Sequence, residues 1–130
     1  MTIRGSCECG QVIFSVEGPL SPAIACHCTQ CRKTSGHYWV STEVSNTNVR
    51  LIKDSGLEWY RSSKQAMRGF CFRCGSSLFW REDGEDTTSI GMGTLDNLPS
   101  DATTVVKHIF VADMGTYYDV ADGLPQSESW

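Results

Sequence analysis

GSCECGQVIFSV, residues 5–16, joins the two features that decide how this chain folds. Val12, Phe14 and Val16 alternate with polar or exposed positions, the period of two that a half-buried strand requires. Just ahead of them, Cys7-Glu8-Cys9-Gly10 sets two thiols two residues apart. The same Cys-Gly ending recurs in Cys71-Phe72-Arg73-Cys74-Gly75, where glycine lets the backbone turn tightly and bring its amides towards the sulfurs. A third cluster, Cys26-His27-Cys28-Thr29-Gln30-Cys31, accounts for the rest of the seven cysteines.

Period-two segments continue along the chain. HYWVSTEVS and TNVRLIK read as strands joined by a turn around Asn46 and Asn48, followed by LEWYR, SSLFW and TTSIGM. TTVVKHIFVAD and TYYDV form a last apolar pair. No stretch of ten residues keeps helical spacing, and TQCRKTSG holds at most one short helix ending at Gly36. The expected class is mainly β, built of short antiparallel strands. With no repeat, low-complexity tract or linker, residues 1–130 are expected to form one domain.

Composition narrows the function. The 130 residues are 40% hydrophobic and 20% charged, ordinary for a soluble globular chain. The net charge of −4 carries no basic footprint for nucleic acid or an anionic membrane. Arg61, Lys64 and Arg68 are the nearest thing to a basic cluster and read as a solvated face. The first residues lack the apolar core of a signal peptide, and no run is long enough to span a bilayer. A cytoplasmic location is therefore expected, where thiols stay reduced and clustered cysteines point to metal or catalysis.

Cys7, Cys9, Cys71 and Cys74 make a closed four-thiolate set, the composition of a structural zinc that would tie segments some 60 residues apart. A redox role for Cys71 and Cys74 is the competing reading, but that motif accompanies a βαβ pattern absent here. Cys26, Cys28 and Cys31 then supply three thiolates without a fourth cysteine. Three protein ligands and an exchangeable position describe a catalytic zinc. Alternatively His37 or His108 closes the shell, whereas His27, in an extended Cys-x-Cys, points away. If the position is open, three thiolates on Zn²⁺ leave a net charge of −1 and a weak Lewis acid. Such a site suits a substrate thiol better than water.

GSCECGQVIFSV, CHCTQCRKTSG, FCFRCGSSLF, GTLD and KHIFV together resemble the glutathione-dependent formaldehyde-activating enzyme family, which includes centromere protein V. The resemblance runs from about Gly5 to Tyr118 and keeps all three cysteine clusters in order. It implies a β-tent fold with two zinc ions per chain. In that family the first and third clusters hold the structural zinc and the middle cluster holds the one near which chemistry is proposed. It also implies carbon–sulfur lyase chemistry joining glutathione and formaldehyde into S-(hydroxymethyl)glutathione. Arg32 and Lys33 are candidates for cationic contacts to the thiol's carboxylates. Tyr38, Trp39, Phe70 and Trp80 can wall a pocket, and Thr34 or Ser35 can donate to a ligand sulfur. Glu43, Glu58 and Asp96 are available carboxylates that nothing places near the clusters. The alternatives to an enzyme are a zinc-stabilised binding module and a thiol redox sensor.

Overall fold

A computed structural model describes residues 1–130. The chain runs β1 (Thr2–Ser6), β2 (Ile13–Glu17), β3 (Ala23–Cys26), α1 (Thr29–Ser35), β4 (Trp39–Ser45), β5 (Val49–Lys53), β6 (Leu57–Arg61), β7 (Ala66–Cys71), β8 (Ser77–Glu82), β9 (Thr87–Gly91) and β10 (Val105–Ile109). The strands form a three-stranded sheet ordered β1-β2-β5 and a seven-stranded sheet ordered β10-β3-β4-β9-β8-β7-β6. The fold is mainly β, as the alternating pattern required. One pair departs from the antiparallel expectation, because β10 runs parallel to β3.

Val12, Phe14 and Val16 are fully buried, so the alternation at residues 11–16 does face a core. Opposite them lie Leu78 and Phe79 of β8 and Ile90 of β9, and the two sheets share this single hydrophobic cluster. Phe14 meets Phe79 edge to face, with ring centroids 5.0 Å apart. Burying a side chain of this size stabilises the fold by about 1.5–3 kcal/mol over leaving it in water.

Both cysteine-bearing turns sit at hairpin ends: Cys7 and Cys9 lie between β1 and β2, while Cys71 ends β7 and Cys74 lies in the turn to β8. Gly10 and Gly75 each adopt φ of 81°, a left-handed conformation that side-chain-bearing residues resist. The Gly75 N–H donates to the Cys71 carbonyl at 2.7 Å, closing its turn. Helix α1 starts at Cys28, whose Sγ accepts from the Cys31 N–H at 3.3 Å, and stops at Gly36. That is the short helix the TQCRKTSG segment predicts.

TYYDV does not form the strand its tyrosines and valine suggest. The outer side of β10 is covered instead by the segment 125–129, where Ser127 N–H donates to His108 at 2.9 Å and Phe110 N–H to Ser129 at 3.0 Å. With that edge taken, local β propensity has no partner to act on. No helix is long and apolar enough to cross a membrane.

Candidate metal centres

The Sγ atoms of Cys7, Cys9, Cys71 and Cys74 all lie within 4.8 Å of one another. Cys7 and Cys9 are 3.7 Å apart, and Cys9 and Cys71 are 3.8 Å apart. A tetrahedral ion with metal–sulfur bonds of about 2.3 Å demands sulfur–sulfur edges of about 3.8 Å, so these residues fit a closed thiolate site. Polar neighbours reach two of the four sulfurs. The Val12 N–H donates to Cys7 Sγ at 3.2 Å. Ser76 accepts from the Glu8 N–H at 3.0 Å, and its hydroxyl lies 3.2 Å from Cys74 Sγ. Chiefly through that hydroxyl, Cys74 is held down to about 5. The Gln11 backbone pulls Cys9 the other way from burial and the neighbouring thiols, which together push it up to about 11.

Cys26 ends β3, Cys28 caps α1 and Cys31 lies in its first turn, so one strand-to-helix junction delivers all three Sγ atoms within 4.8 Å. Cys28 is the sulfur that carries charge most readily. It is held down to about 2, first by the Cys26 thiol and then by Cys31. Cys26, donating to both neighbours, is pushed far up.

No histidine nitrogen joins the trio. His27 turns away, as strand alternation predicts, and is fully buried. Its Nδ1 lies 2.6 Å from the Tyr118 hydroxyl and its Nε2 lies 2.8 Å from His108 Nδ1. His108 Nε2 in turn meets Asp122 Oδ2 at 2.7 Å. With both imidazoles neutral, one direction satisfies every group: Tyr118 O–H donates to His27, His27 to His108, and His108 to the Asp122 carboxylate. Burial, aided by the nearby His108 and His37, holds His27 below its usual range. The His108 hydrogen bond, first among the causes, holds Asp122 below the usual carboxylate range. His37 Nδ1 pairs with the Tyr117 hydroxyl at 2.7 Å. His108 is thus engaged at both ring nitrogens, and His37 at one, with neither grouped with the trio's sulfurs.

The structure redistributes the other sequence candidates. Thr34 donates to the carbonyls of Gln30 and Cys31, and Ser35 donates to those of Cys31 and His37, so neither hydroxyl serves a sulfur. Ser76 does that at the first cluster. Lys33 is exposed and Arg32 half-buried with its Nε unpartnered. The cation that touches the middle cluster is Arg68, which the sequence grouped with a solvated face. It is only 8% exposed, donates from Nη2 to Cys31 Sγ at 3.3 Å and from Nε to Gln30 Oε1 at 2.8 Å. A distant partner in sequence explains the error: the sulfur that accepts from this guanidinium lies 37 positions away.

Two adjoining cavities are lined by residues next to the cysteine clusters, though by no cysteine itself. A narrow one of about 210 Å³ is lined by Arg68, Trp39 and Phe70 among others. A wider one of about 450 Å³ shares Thr34, Trp39, Gly75 and Ser77 with it and extends past Tyr38 to Thr94. Of the four aromatic residues expected to wall a pocket, Tyr38, Trp39 and Phe70 do so, and Trp80 does not.

The sequence model described as glutathione-dependent formaldehyde-activating enzyme matches residues 2–113. The chain belongs to this family. Within the formaldehyde-activating enzyme family, a Halomonas elongata protein named "Putative glutathione-dependent formaldehyde-activating enzyme" is 32% identical over 87 residues. The match covers 61% of this chain and 55% of that protein, so the chain spans about half the length of the relative. A crystal structure of a Rhodobacter sphaeroides protein superposes with a TM-score of 0.63 at 20% identity, over 81% of this chain and 99% of the other. That likeness establishes the shared fold.

Proposed function

We propose that this protein is a zinc-dependent enzyme of carbon–sulfur bond chemistry, a lyase acting on the adduct of a small thiol such as glutathione with an aldehyde. In this reading Cys7, Cys9, Cys71 and Cys74 hold a structural zinc, and Cys26, Cys28 and Cys31 hold a second, catalytic one. Residues 1–130 act as one domain in the cytoplasm, where the thiols stay reduced. The observation that carries the reading is the four-plus-three partition, with every nearby histidine except one nitrogen of His37 engaged elsewhere. Family membership supports the substrate class.

Cys26, Cys28 and Cys31 would hold the zinc, which would supply a soft position at which a substrate thiol loses its proton and stays nucleophilic. The sulfur then adds to the aldehyde carbon: a carbon–sulfur bond forms, the carbonyl π bond opens onto oxygen, and the proton released by the thiol ends on that oxygen. The reverse elimination breaks the same bond. The chain's residues prepare the surroundings. Arg68 offsets the negative charge gathered on the thiolates and fixes Cys31 through its Nη2–H. Trp39, Phe70 and Phe79 line the narrow cavity beside Arg68 and offer apolar surface to a substrate's hydrocarbon portion. The His27–His108–Asp122 chain locks the backbone between Cys26 and Cys28, because His27 is the residue that separates them.

Zinc content and thiol–aldehyde adduct turnover in wild type and Cys28→Ser test the proposal. The variant is expected to retain the first zinc and lose turnover at least a hundredfold. Equal turnover contradicts the proposal, and absence of turnover in the wild type leaves a zinc-stabilised binding module.

A further inference from the structure

Arg68 is a buried guanidinium with no carboxylate within ion-pair distance. An ionised group withdrawn from water is costly unless its charge and its donors are met. The Cys31 sulfur accepts from it and the charge-carrying Cys28 lies in its field, but not all of its donors have protein partners. Of the five N–H donors a guanidinium carries, protein acceptors engage one on Nε and one on Nη2. Both hydrogens of Nη1 lack a protein acceptor while the atom stays within reach of water, and Arg68 lines the 210 Å³ cavity. It is the only charged residue in that lining.

The remaining walls say what fits beside it. Trp39 lies under the guanidinium, 5.7 Å from ring centroid to Cζ, and helps hold the fork in plane. Phe70, Phe79 and the Tyr60 ring supply apolar surface. The hydroxyls of Thr34 and Ser77 are committed to the carbonyls of Gln30 and Thr34, so they offer an incoming ligand no donor. One cationic fork among apolar walls matches an anion at the end of a short hydrocarbon arm. The cavity is smaller than the roughly 300 Å³ at which pockets begin to hold a whole ligand, while the adjoining 450 Å³ space has room for the rest. The neighbouring thiolates repel a doubly charged phosphate more than a singly charged carboxylate.

We propose that Arg68 and the narrow cavity form a carboxylate-binding site that selects thiols bearing a short acidic arm. The site rests on the thiol-handling reading of the middle cluster, since the guanidinium that would hold the carboxylate also donates to Cys31. Arg68 is thereby the specificity-determining residue, in place of Arg32 and Lys33. Carboxylate binding completes its donors, and a fork-to-carboxylate pair adds orientation as well as affinity.

Calorimetric titration of the zinc-loaded full chain with 3-mercaptopropionate and its neutral isostere 3-mercaptopropanamide tests the site. The wild type is expected to bind the acid about tenfold to a hundredfold more tightly, the range for a charge-assisted hydrogen-bonded pair. Arg68→Gln is expected to bind the two equally, with Arg68→Lys between. Equal wild-type affinities overturn the proposal, and so does a preference that persists in Arg68→Gln. The wild-type comparison stands even if a variant fails to fold. Acid-selective binding without adduct turnover refutes the catalytic reading and keeps the carboxylate site. Turnover without that selectivity does the reverse.

Discussion

Replacing both ligands of the first hairpin, Cys7→Ser with Cys9→Ser, removes one side of the clip between β1–β2 and β7–β8. Cys9 and Cys71 lie 62 residues apart in sequence and 3.8 Å apart in space. A cross-link closing a loop of that length removes about 14 cal/mol/K of unfolded-chain entropy, or about 4 kcal/mol at 25 °C. Against the 5–15 kcal/mol typical of a folded domain, that is a large share. The middle trio spans only residues 26–31, and the same relation gives about 2 kcal/mol for so short a loop. Urea unfolding followed by tryptophan fluorescence in zinc-replete buffer therefore separates the two centres. The Cys7/Cys9 double variant is expected to lose about 4 kcal/mol and a Cys26→Ser/Cys28→Ser double variant about half of that. Equal losses, or a larger loss at the trio, would refute the idea that the first centre is the structural tie.

Three other perturbations have defined outcomes. Phe14→Ala removes a fully buried ring packed on Phe79 and is expected to cost about 3–5 kcal/mol in the same urea assay; a loss below about 1 kcal/mol contradicts the shared core. A Cβ added at Gly56 would come 2.8 Å from Cys71 Sγ and 2.9 Å from Gln11 Cβ, so Gly56→Ala should displace a ligand and weaken the first zinc about tenfold or more in chelator competition. Unchanged affinity would show that the loop gives way freely. The third concerns acid. His27, whose folded value is depressed, refuses the proton that the unfolded chain takes up, so stability is lost as pH falls below about 6.5; depressed Asp122 adds a loss in the same direction at lower pH. His27→Phe should flatten the fall in urea midpoint between pH 7.5 and 5.5, and parallel profiles would rule out this origin.

What sequence carries well here is local or repeated. The period-two alternation around Phe14 needs only its own neighbours, and the two Cys-Gly endings announce turns that glycine alone accommodates at φ of 81°. Grouping four cysteines apart from three follows from their numbers and spacing. What fails to show is long-range pairing of polar groups. Arg68 reads as surface because its charge is visible and the Cys31 sulfur that accepts from it is not adjacent. Tyr118 reads as part of a strand, yet its hydroxyl is bound to His27 across 91 residues. Asp122 lies in a polar tail with no sign that it anchors a buried pair of histidines. Strand β7, AMRGFC, buries Arg68 next to Gly69, which breaks the apolar rhythm that would have flagged it.

X-ray absorption at the zinc edge on the doubly loaded protein, before and after adding glutathione, bears most directly on the claim that the middle centre handles thiols. One four-thiolate and one three-thiolate site give an average of about 3.5 sulfurs per zinc, and entry of a substrate thiol raises it to about 4. A count that starts near 4, or that does not change when the thiol is added, contradicts an exchangeable position on Cys26, Cys28 and Cys31.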